Sequence, residues 1–455
     1  MRHALLLICL ALVQGCVAPA ASDVAANHAS RLLDVTSSPT SSSSTSDVCD
    51  NLDNCRGLVS IITSCLATIF ACVWAAVHPN LPGPKQTWMS RQFESFKIIV
   101  VTLLVPEWVL AWGMRQSLQA HHYTHILRRE AAEVYPWMPM HVILASMGGF
   151  HYYRGEEPMF PLQVEGGVVR VDRANEGRCL LTLVKSRSLV PPTWQELQDK
   201  SKGNTLSKSI TELQTLWFVS RCIARHHENL AITNLEIMTL AYTVITVAMK
   251  VAWWNAPLNV RCAIRVQGER AFDTGARPLD EFVQKPRPFE WSDIIHYVTG
   301  NQDRLTTLSD EERVPTFWSG CTADSDGELP PHAIRSIRYA NIFGLTATVI
   351  FGALHCAAWS YAFPSLAEKL MWRVCALAMT VIPVPMAVVF LVFNPIRATE
   401  RSDLSAYIHR LCMTLCVLLY ILARIFLLAI SFTCLRHLPP SAYQSVQWTA
   451  FAPHI

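Results

Sequence analysis

The stretch "TLLVPEWVLAWG" at residues 102–113 places a proline and a glutamate side by side in a segment otherwise apolar enough for the interior of a bilayer. A charge at mid-bilayer costs at least about 2.5 to 3.5 kcal/mol, so we expect Glu107 to face a charged partner or a water-filled cavity. Pro106 lacks a backbone N–H and is expected to kink the helix. The stretch therefore predicts a membrane helix with a buried carboxylate.

The composition of the whole chain favours a membrane protein. Of its 455 residues, 51% are hydrophobic and 16% are charged, and the mean hydropathy is +0.24. This balance is typical of a polytopic membrane protein with sizeable polar connections. The net charge of +3 is too small to indicate a polyanionic partner. We therefore expect the lipid bilayer as partner and no nucleic-acid binding.

Six apolar segments are long enough to cross a bilayer as helices. About 20 residues rising about 1.5 Å each cover the roughly 30 Å of hydrocarbon. Helices are required because their backbone polar groups are satisfied within the segment. The predicted spans are residues 58–77, 96–114, 235–254, 342–361, 370–393 and 411–433. The expected fold is all-α, a polytopic membrane bundle of about six transmembrane helices.

The amino terminus predicts an export signal followed by a polar spacer. Residues 1–20 combine a weakly basic start, an apolar run and a small-residue sequence that predicts cleavage after about Ala20. Residues 21–57 are rich in Ser and Thr and predict a disordered lumenal segment. We therefore expect an integral membrane protein of the secretory pathway or plasma membrane, with its mature N-terminus lumenal or extracellular.

Two long connections separate the predicted spans. The first, residues 115–234, contains a short apolar run at residues 137–150, which predicts a re-entrant or interfacial element. Apolar residues at spacings of three and four then predict an amphipathic helix over about residues 206–229, lying along the membrane surface. The second connection, residues 255–341, is expected to be a polar cytoplasmic loop, and residues 434–455 a C-terminal tail.

Cys49 and Cys55 form the candidate disulfide. They lie just before the first predicted span, on the side that an export signal would make oxidising. Two free thiols are the alternative, because spacing alone does not establish the geometry of a bridge.

Several long motifs resemble a known family. They are "DKSKGNTLSKSITELQTLWFVSRCIAR" at residues 199–225, "LAITNLEIMTLAYTVITVAMKVAWWNAPLNV" at 230–260, "VPTFWSG" at 314–320 and "LPPSAYQSVQWTAFAPHI" at 438–455. In this order they resemble an uncharacterised family of polytopic membrane proteins of filamentous and mushroom-forming fungi. The chain departs from the family pattern at Asn204, Arg221 and Ala256. The resemblance implies a multi-pass fold and no established activity.

Glu107 and Arg424 are predicted to form a buried ion pair. Each lies close to the centre of a predicted span, and the two spans are expected to run in the same direction, so the charges differ in depth by about 2 Å. Pairing would offset a desolvation cost that neither charge could bear alone. His355 is a candidate for a polar cavity in the same bundle. A structural clamp without a transport role is the alternative interpretation of the pair.

Two histidine clusters are the enzyme-like signal of the sequence. "HHYTH" at residues 121–125 and "HHE" at residues 226–228 contain imidazoles of the kind that bind iron. The chain lacks three properly spaced histidine boxes, so interfacial histidine patches are the simpler interpretation. We therefore predict no catalytic residue, no cofactor site and no metal site.

Three functional classes follow from the sequence. The first is a multi-pass membrane protein with a role in transport or signalling, using Glu107, Arg424 and His355 as polar groups. The alternative is a non-catalytic membrane scaffold. The second alternative is a histidine-rich membrane metalloenzyme.

Overall fold

The computed structural model describes most of the chain after the amino-terminal region. The described residues are 55–131, 136–165, 179–201, 205–257, 260, 262–267, 293–306, 308, 311–321, 329–392 and 403–448. The predicted signal peptide, most of the Ser/Thr-rich segment and Cys49 lie outside these ranges.

The described part of the chain is mostly helical. Its α-helices are α1 Leu58–Ala76, α2 Trp88–Leu104, α3 Pro106–Glu130, α4 Pro139–Ser146, α5 Leu180–Lys185, α6 Trp194–Lys200, α7 Thr205–His227, α8 Asn234–Ala252, α9 Asp293–Thr299, α10 Pro331–Cys356, α11 Leu366–Val381, α12 Pro383–Val392 and α13 Asp403–Thr433.

Five helical segments of the described chain are long and apolar enough to cross a membrane. They are Leu58–Ala76, Asn234–Ala252, Pro331–Ser360, Leu366–Val388 and Tyr407–Arg436. Each overlaps one of the predicted spans. The remaining predicted span, at residues 96–114, falls across the junction of α2 and α3.

A sharp break interrupts that remaining span. The axes of α2 and α3 differ in direction by 113°. Pro106 has no N–H to donate to the preceding turn, so the helix ends and a second one starts at the proline. The Tyr242 hydroxyl donates to the carbonyl of Leu103, which satisfies an acceptor that the break leaves free. The expected continuous helix is therefore two helices joined at Val105.

Helix α8 is the centre of the bundle and the most buried of the five apolar segments. Helix α1 runs parallel to it, since Arg56 pairs with Glu236 near the start of both and Cys72 contacts Thr243 further along. Helix α10 runs antiparallel, because His355 near its end contacts Met238 near the start of α8. Helix α11 packs against α10, and α13 completes the bundle against α11 and α8.

A three-stranded sheet lies outside the helical bundle. Strands β1 Phe150–Arg154 and β2 Glu157–Pro161 form an antiparallel hairpin, and β3 Ile264–Gln267 pairs with β1 in parallel. Gly155 has a φ of 62° in the hairpin turn, a conformation that favours glycine. The described chain is thus mainly helical but not all-α. The strands are four or five residues long, too short for a clear alternating pattern.

The sheet joins the two long connections. β1 belongs to residues 115–234 and β3 to residues 255–341, so the parts of the two connections that form the sheet lie at one end of the bundle, which we call the sheet end. With six spans, the two connections would lie at opposite ends of the bundle. The pairing of β1 with β3 instead puts these parts of the two connections at the same end.

Residues 438–448 occupy the opposite end of the bundle, the tail end. The backbone N–H of Arg56 donates to the carbonyl of Tyr443 at 2.7 Å, and Cys55 forms a β-bridge with Gln444. The guanidinium of Arg225 donates to the same segment, at 2.7 Å to the carbonyl of Gln444. Cys55 is disulfide-bonded, whereas the other cysteines of the described residues are free thiols. The starts of α1 and α8 and the end of α7 are thereby tied to the tail.

Packing of α10 on α11 leaves no room for a side chain at Gly352. A Cβ there would lie 2.7 Å from the backbone nitrogen of Thr380. Gly352→Ala should therefore lower the free energy of unfolding by about 1–3 kcal/mol, as overpacking does. Thermal unfolding in detergent measures the loss. Gly57→Ala is the matched control, because open space surrounds Gly57. Equal stabilities of the two variants would contradict the close packing.

Candidate functional site

Glu107 lies in the first turn of α3, directly after the break at Val105. Its side chain is buried, with 3% of the residue exposed. The start of a helix favours a negative charge, because its first N–H groups are unpaired and the helix dipole is positive there. The proline break thus supplies both the position and part of the stabilisation of the carboxylate.

The structure brings Glu107 and Arg424 together. Nη1 of Arg424 lies 2.8 Å from Oε1 of Glu107, and Arg424 is 2% exposed. Tyr420 joins them: its hydroxyl donates to the same Oε1 at 2.7 Å and accepts from Nη1 of Arg424 at 2.9 Å. Tyr420 and Arg424 are four residues apart on α13 and therefore share a face. The three side chains form one hydrogen-bonded cluster, the Glu107 centre.

Two aromatic rings hold the guanidinium of Arg424. Its Cζ lies 4.0 Å from the ring centroid of Phe351 and 5.2 Å from that of Tyr242. A guanidinium over an aromatic face is attracted by the ring quadrupole, most strongly where water is excluded. α8 and α10 thus contribute to the Glu107 centre through aromatic faces.

His355 lies beside the Glu107 centre and does not contact the ion pair. Its Nδ1 is 2.7 Å from the carbonyl of Phe351, and its Nε2 is 3.3 Å from Sδ of Met238. Its ring lies 4.7 Å from that of Phe351, the same ring that covers Arg424. The residues around the cavity described next do not include His355.

A cavity of about 420 Å³ lies beside Glu107. Its walls come from the α2–α3 break and from α9, α10, α12 and α13, and most of the lining is apolar. Glu107 and Tyr420 supply polar groups to it, together with Asn341 and Thr348. Oε2 of Glu107 is buried and has no hydrogen-bond partner among the described residues. Glu107 therefore combines a place in an apolar cavity wall with one carboxylate oxygen that the described residues leave unsatisfied.

A second, polar cavity of about 250 Å³ adjoins the first. Tyr297 and Phe317 line both cavities, so these two side chains separate them. Trp108 holds both residues, since its Nε1 donates to the carbonyl of Tyr297 at 2.6 Å and its ring meets Phe317 edge-on at 4.9 Å. The polar cavity is lined on its other sides by charged groups that include Glu94 and Asp303.

Asp303 anchors the loop that closes the polar cavity. Its carboxylate accepts from the backbone N–H and the hydroxyl of Ser319 and from the N–H of Cys321, at distances between 2.9 and 3.2 Å. Burial raises the pKa of Asp303 from 3.8 to about 6, against the opposing effect of these hydrogen bonds and of the Arg115 charge. The carboxylate is therefore costly to ionise and well satisfied once ionised.

The motif at residues 314–320 is held by one face of α3. The carbonyl of Trp318 accepts from Nε1 of Trp112 and from Nε2 of Gln116, both at 2.9 Å. Oε1 of Gln116 in turn accepts from the indole N–H of Trp253 at 2.8 Å. The motif thus positions Phe317 at the junction of the two cavities.

The histidine clusters lie apart from the Glu107 centre. His122 stacks on His332 with ring centroids 4.0 Å apart, and Glu228 accepts from the backbone N–H of Gln447. Among the residues with described positions, no group of three or more His, Cys, Asp or Glu side chains could hold a metal ion.

The sequence did not predict the roles of Tyr420 in the Glu107 centre and of Glu236 in a second buried ion pair, with Arg56. Tyr420 is an apolar-looking position in a span, and its spacing of four from Arg424 was the available signal. Glu236, in the first turn of α8, is fully buried and binds Arg56 with both carboxylate oxygens. Its signal was a capping box, in which Thr233 and Glu236 satisfy each other's N–H groups.

Removal of Arg424 should destabilise the protein strongly. Arg424→Met leaves the carboxylate of Glu107 buried without a cation, which costs about 3–5 kcal/mol. The double variant with Glu107→Gln should lose less than the sum of the two single variants, because the unpaired charge is gone. Unfolding in detergent measures all three losses.

The exposed pair Lys250–Glu212 is the matched control for this cycle. Lys250→Met and Glu212→Gln should each cost about 1 kcal/mol or less, since exposed ion pairs contribute little. Strictly additive losses at Glu107 and Arg424 would contradict the coupling.

The raised pKa of Asp303 predicts a pH-dependent stability. The folded protein holds this proton more tightly than the unfolded chain, so its stabilising effect is complete below about pH 3.8 and is lost as the pH rises through about 6. Asp303→Asn should remove this decline, and Glu156→Gln, at an exposed carboxylate, should leave it. Melting temperatures in detergent between pH 4 and 7 measure the effect. An unchanged pH profile in Asp303→Asn would contradict the assignment.

Comparisons with known proteins give a family but no activity. No curated protein and no solved structure matches the chain. Residues 29–274 and 332–455 match a family described as "Family of unknown function (DUF8562)". The match includes Glu107, Tyr420 and Arg424 and leaves out residues 275–331, where Asp303 and Phe317 lie. It agrees with the resemblance to an uncharacterised family. The chain belongs to the family of unknown function DUF8562.

Proposed function

We propose that the chain is a polytopic membrane protein that transports a small apolar molecule through the cavity beside Glu107. The molecule carries one hydrogen-bond donor, a hydroxyl or a protonated amine. The tail end of the bundle faces the lumen or the exterior, and the sheet end faces the cytoplasm. The observation that carries the proposal is that Glu107 lines an apolar cavity and has a buried Oε2 without a partner among the described residues.

The volume, the apolar lining and the free carboxylate oxygen at the cavity indicate which class of ligand would bind. A volume of about 420 Å³ lies in the range of small-molecule sites, and an apolar lining with a few polar groups is typical of them. Oε1 of Glu107 already accepts from both Tyr420 and Arg424, so Oε2 is the free acceptor. A carboxylate oxygen accepts hydrogen bonds and cannot donate them when ionised. Donor-bearing ligands fit this site, and anionic ligands would be repelled.

The arrangement of the two cavities favours passage over binding alone. The polar cavity continues the apolar one towards the sheet end, and Tyr297 and Phe317 lie between them. A polar entrance followed by an aromatic constriction and an apolar chamber resembles a route more than a closed pocket. Displacement of the Phe317 ring would connect the two cavities.

Transport is tested in liposomes that contain the purified protein. The probes share one ring system: 1-naphthylmethylamine, 1-naphthylmethanol and 1-naphthoate. The amine and the alcohol should bind, the amine should be taken up, and the acid should do neither. Glu107→Gln should reduce uptake of the amine at least tenfold, because a neutral amide lacks the charge that attracts it. Glu212→Gln, on the exposed side of α7, is the control and should transport normally.

Other outcomes separate the alternatives. Saturable binding of the amine without uptake would replace transport by a sensing or signalling role of the same cavity. Absence of both binding and uptake in the folded protein would contradict the proposal and favour a scaffold. Intrinsic fluorescence and the melting temperature show whether Glu107→Gln is folded before its uptake is compared.

A further inference from the structure

Helix α7 carries apolar residues on two faces. One face, with Phe218, Val219 and Cys222, is buried in the bundle, mainly against α1. The other face is exposed and includes Leu213, which is 66% exposed, and Ile223. A helix that is apolar all round is buried or surrounded by lipid, whereas a surface helix has one polar face. α7 therefore differs from the one-sided amphipathic helix that its spacing predicted.

The direction of α7 follows from its ion pairs with α8. Glu212 lies 3.3 Å from Lys250 near the end of α8, and Arg221 lies 3.7 Å from Glu236 near its start. α7 therefore runs antiparallel to α8 over most of its length. Its end is tied to the tail by Arg225, so it runs from the sheet end to the tail end.

The pair α2–α3 begins and ends at the sheet end. Early in α2, Glu94 pairs with Arg313, which precedes the motif at residues 314–320. At its end, Leu103 meets Tyr242 in the middle of α8, so α2 reaches half the height of the bundle. α3 then returns, because Trp112 packs 5.2 Å from Trp253 at the sheet end of α8. The break at Val105 is the turning point.

We infer that α7 crosses the membrane with its exposed face against lipid acyl chains, while α2–α3 is a re-entrant pair that does not cross. This assignment replaces the predicted second span by the predicted surface helix. The crossing helices are then α1, α7, α8, α10, α11 with α12, and α13, and their directions alternate between the tail end and the sheet end.

Chain direction supports the assignment independently of hydropathy. α1 and α8 are parallel, so the chain must return to the tail end between them. α2–α3 does not reach the tail end, and the sheet lies at the sheet end, so α7 is the element that makes the return. The exposed face of α7 also continues the exposed apolar surface of its neighbour α1, where Phe70 and Trp74 point outward.

Three charged residues of α7 have partners, which makes them compatible with a membrane position. Glu212 and Arg221 pair with residues of α8, and Arg225 donates to carbonyls of Ala231 and of the tail. Charged residues within a membrane helix are tolerated where they face protein partners or the ends of the span. These pairs lower the average hydropathy of α7. Glu212, whose side chain is 47% exposed, pairs with Lys250 near the end of α8 and therefore lies near the end of the span.

Cysteine accessibility tests the inference. Single cysteines at Glu156 and Glu312, on the two connections, and at His226, at the end of α7, are introduced after the exposed Cys262 and Cys412 are replaced by serine. A membrane-impermeant maleimide is applied to sealed vesicles of known orientation, before and after permeabilisation. Glu156→Cys and Glu312→Cys should label from one side and His226→Cys from the other. Labelling of Glu156→Cys and His226→Cys from the same side would overturn the inference.

A spin label at Leu213 tests the lipid contact separately. In reconstituted bilayers its collisions with oxygen should exceed those with a water-soluble nickel complex, because oxygen partitions into acyl chains. A label at Glu156 on the hairpin turn is the control and should show the reverse preference. A nickel preference at Leu213 would place the exposed face of α7 in water and overturn the lipid contact.

Discussion

The fold depends on the cost of burying a charge at the break between α2 and α3. A carboxylate at that position is tolerated because the start of α3, the guanidinium of Arg424 and the hydroxyl of Tyr420 all stabilise it. These partners come from distant parts of the chain, so the requirement fixes how α3 and α13 pack. Phe351 and Tyr242 extend the constraint to α10 and α8. The contacts of one ion pair thereby link four helices.

The same contacts leave one carboxylate oxygen of Glu107 without a hydrogen-bond donor among the described residues. Arg424 and Tyr420 both bind Oε1, and the geometry of α13 does not bring a donor to Oε2. A buried acceptor without a partner is unfavourable unless a ligand or water meets it. In the proposed function, stability and ligand binding would therefore use different oxygens of one side chain.

The sequence was informative where the chemistry is local. Apolar runs of about twenty residues located the membrane-length helices, and the depths of two charges predicted the ion pair that lies in the structure at 2.8 Å. The sequence was uninformative about contacts made by backbone atoms. Side-chain patterns do not indicate the strand pairing of Phe150 with Ile264 or the hydrogen bond from Trp112 to the carbonyl of Trp318. For α7 the spacing of apolar residues predicted one apolar face, whereas the helix has two. Its charged residues lower the average hydropathy, so the second apolar face is not apparent from the sequence.

The hydrogen bonds from Arg56 and Arg225 to residues 441–444 at the tail end have a consequence for biosynthesis. The guanidinium groups of Arg56 and Arg225 donate to backbone carbonyls of residues 441–444. These residues are synthesised after every apolar helix of the described chain. Until then the guanidinium groups near the start of α1 and the end of α7 lack these acceptors and, among the described residues, bind only Glu236 and the carbonyl of Ala231. Assembly of the tail end therefore requires residues 441–444, so loss of this short segment would act on α1 and α7, which lie far from it in the sequence.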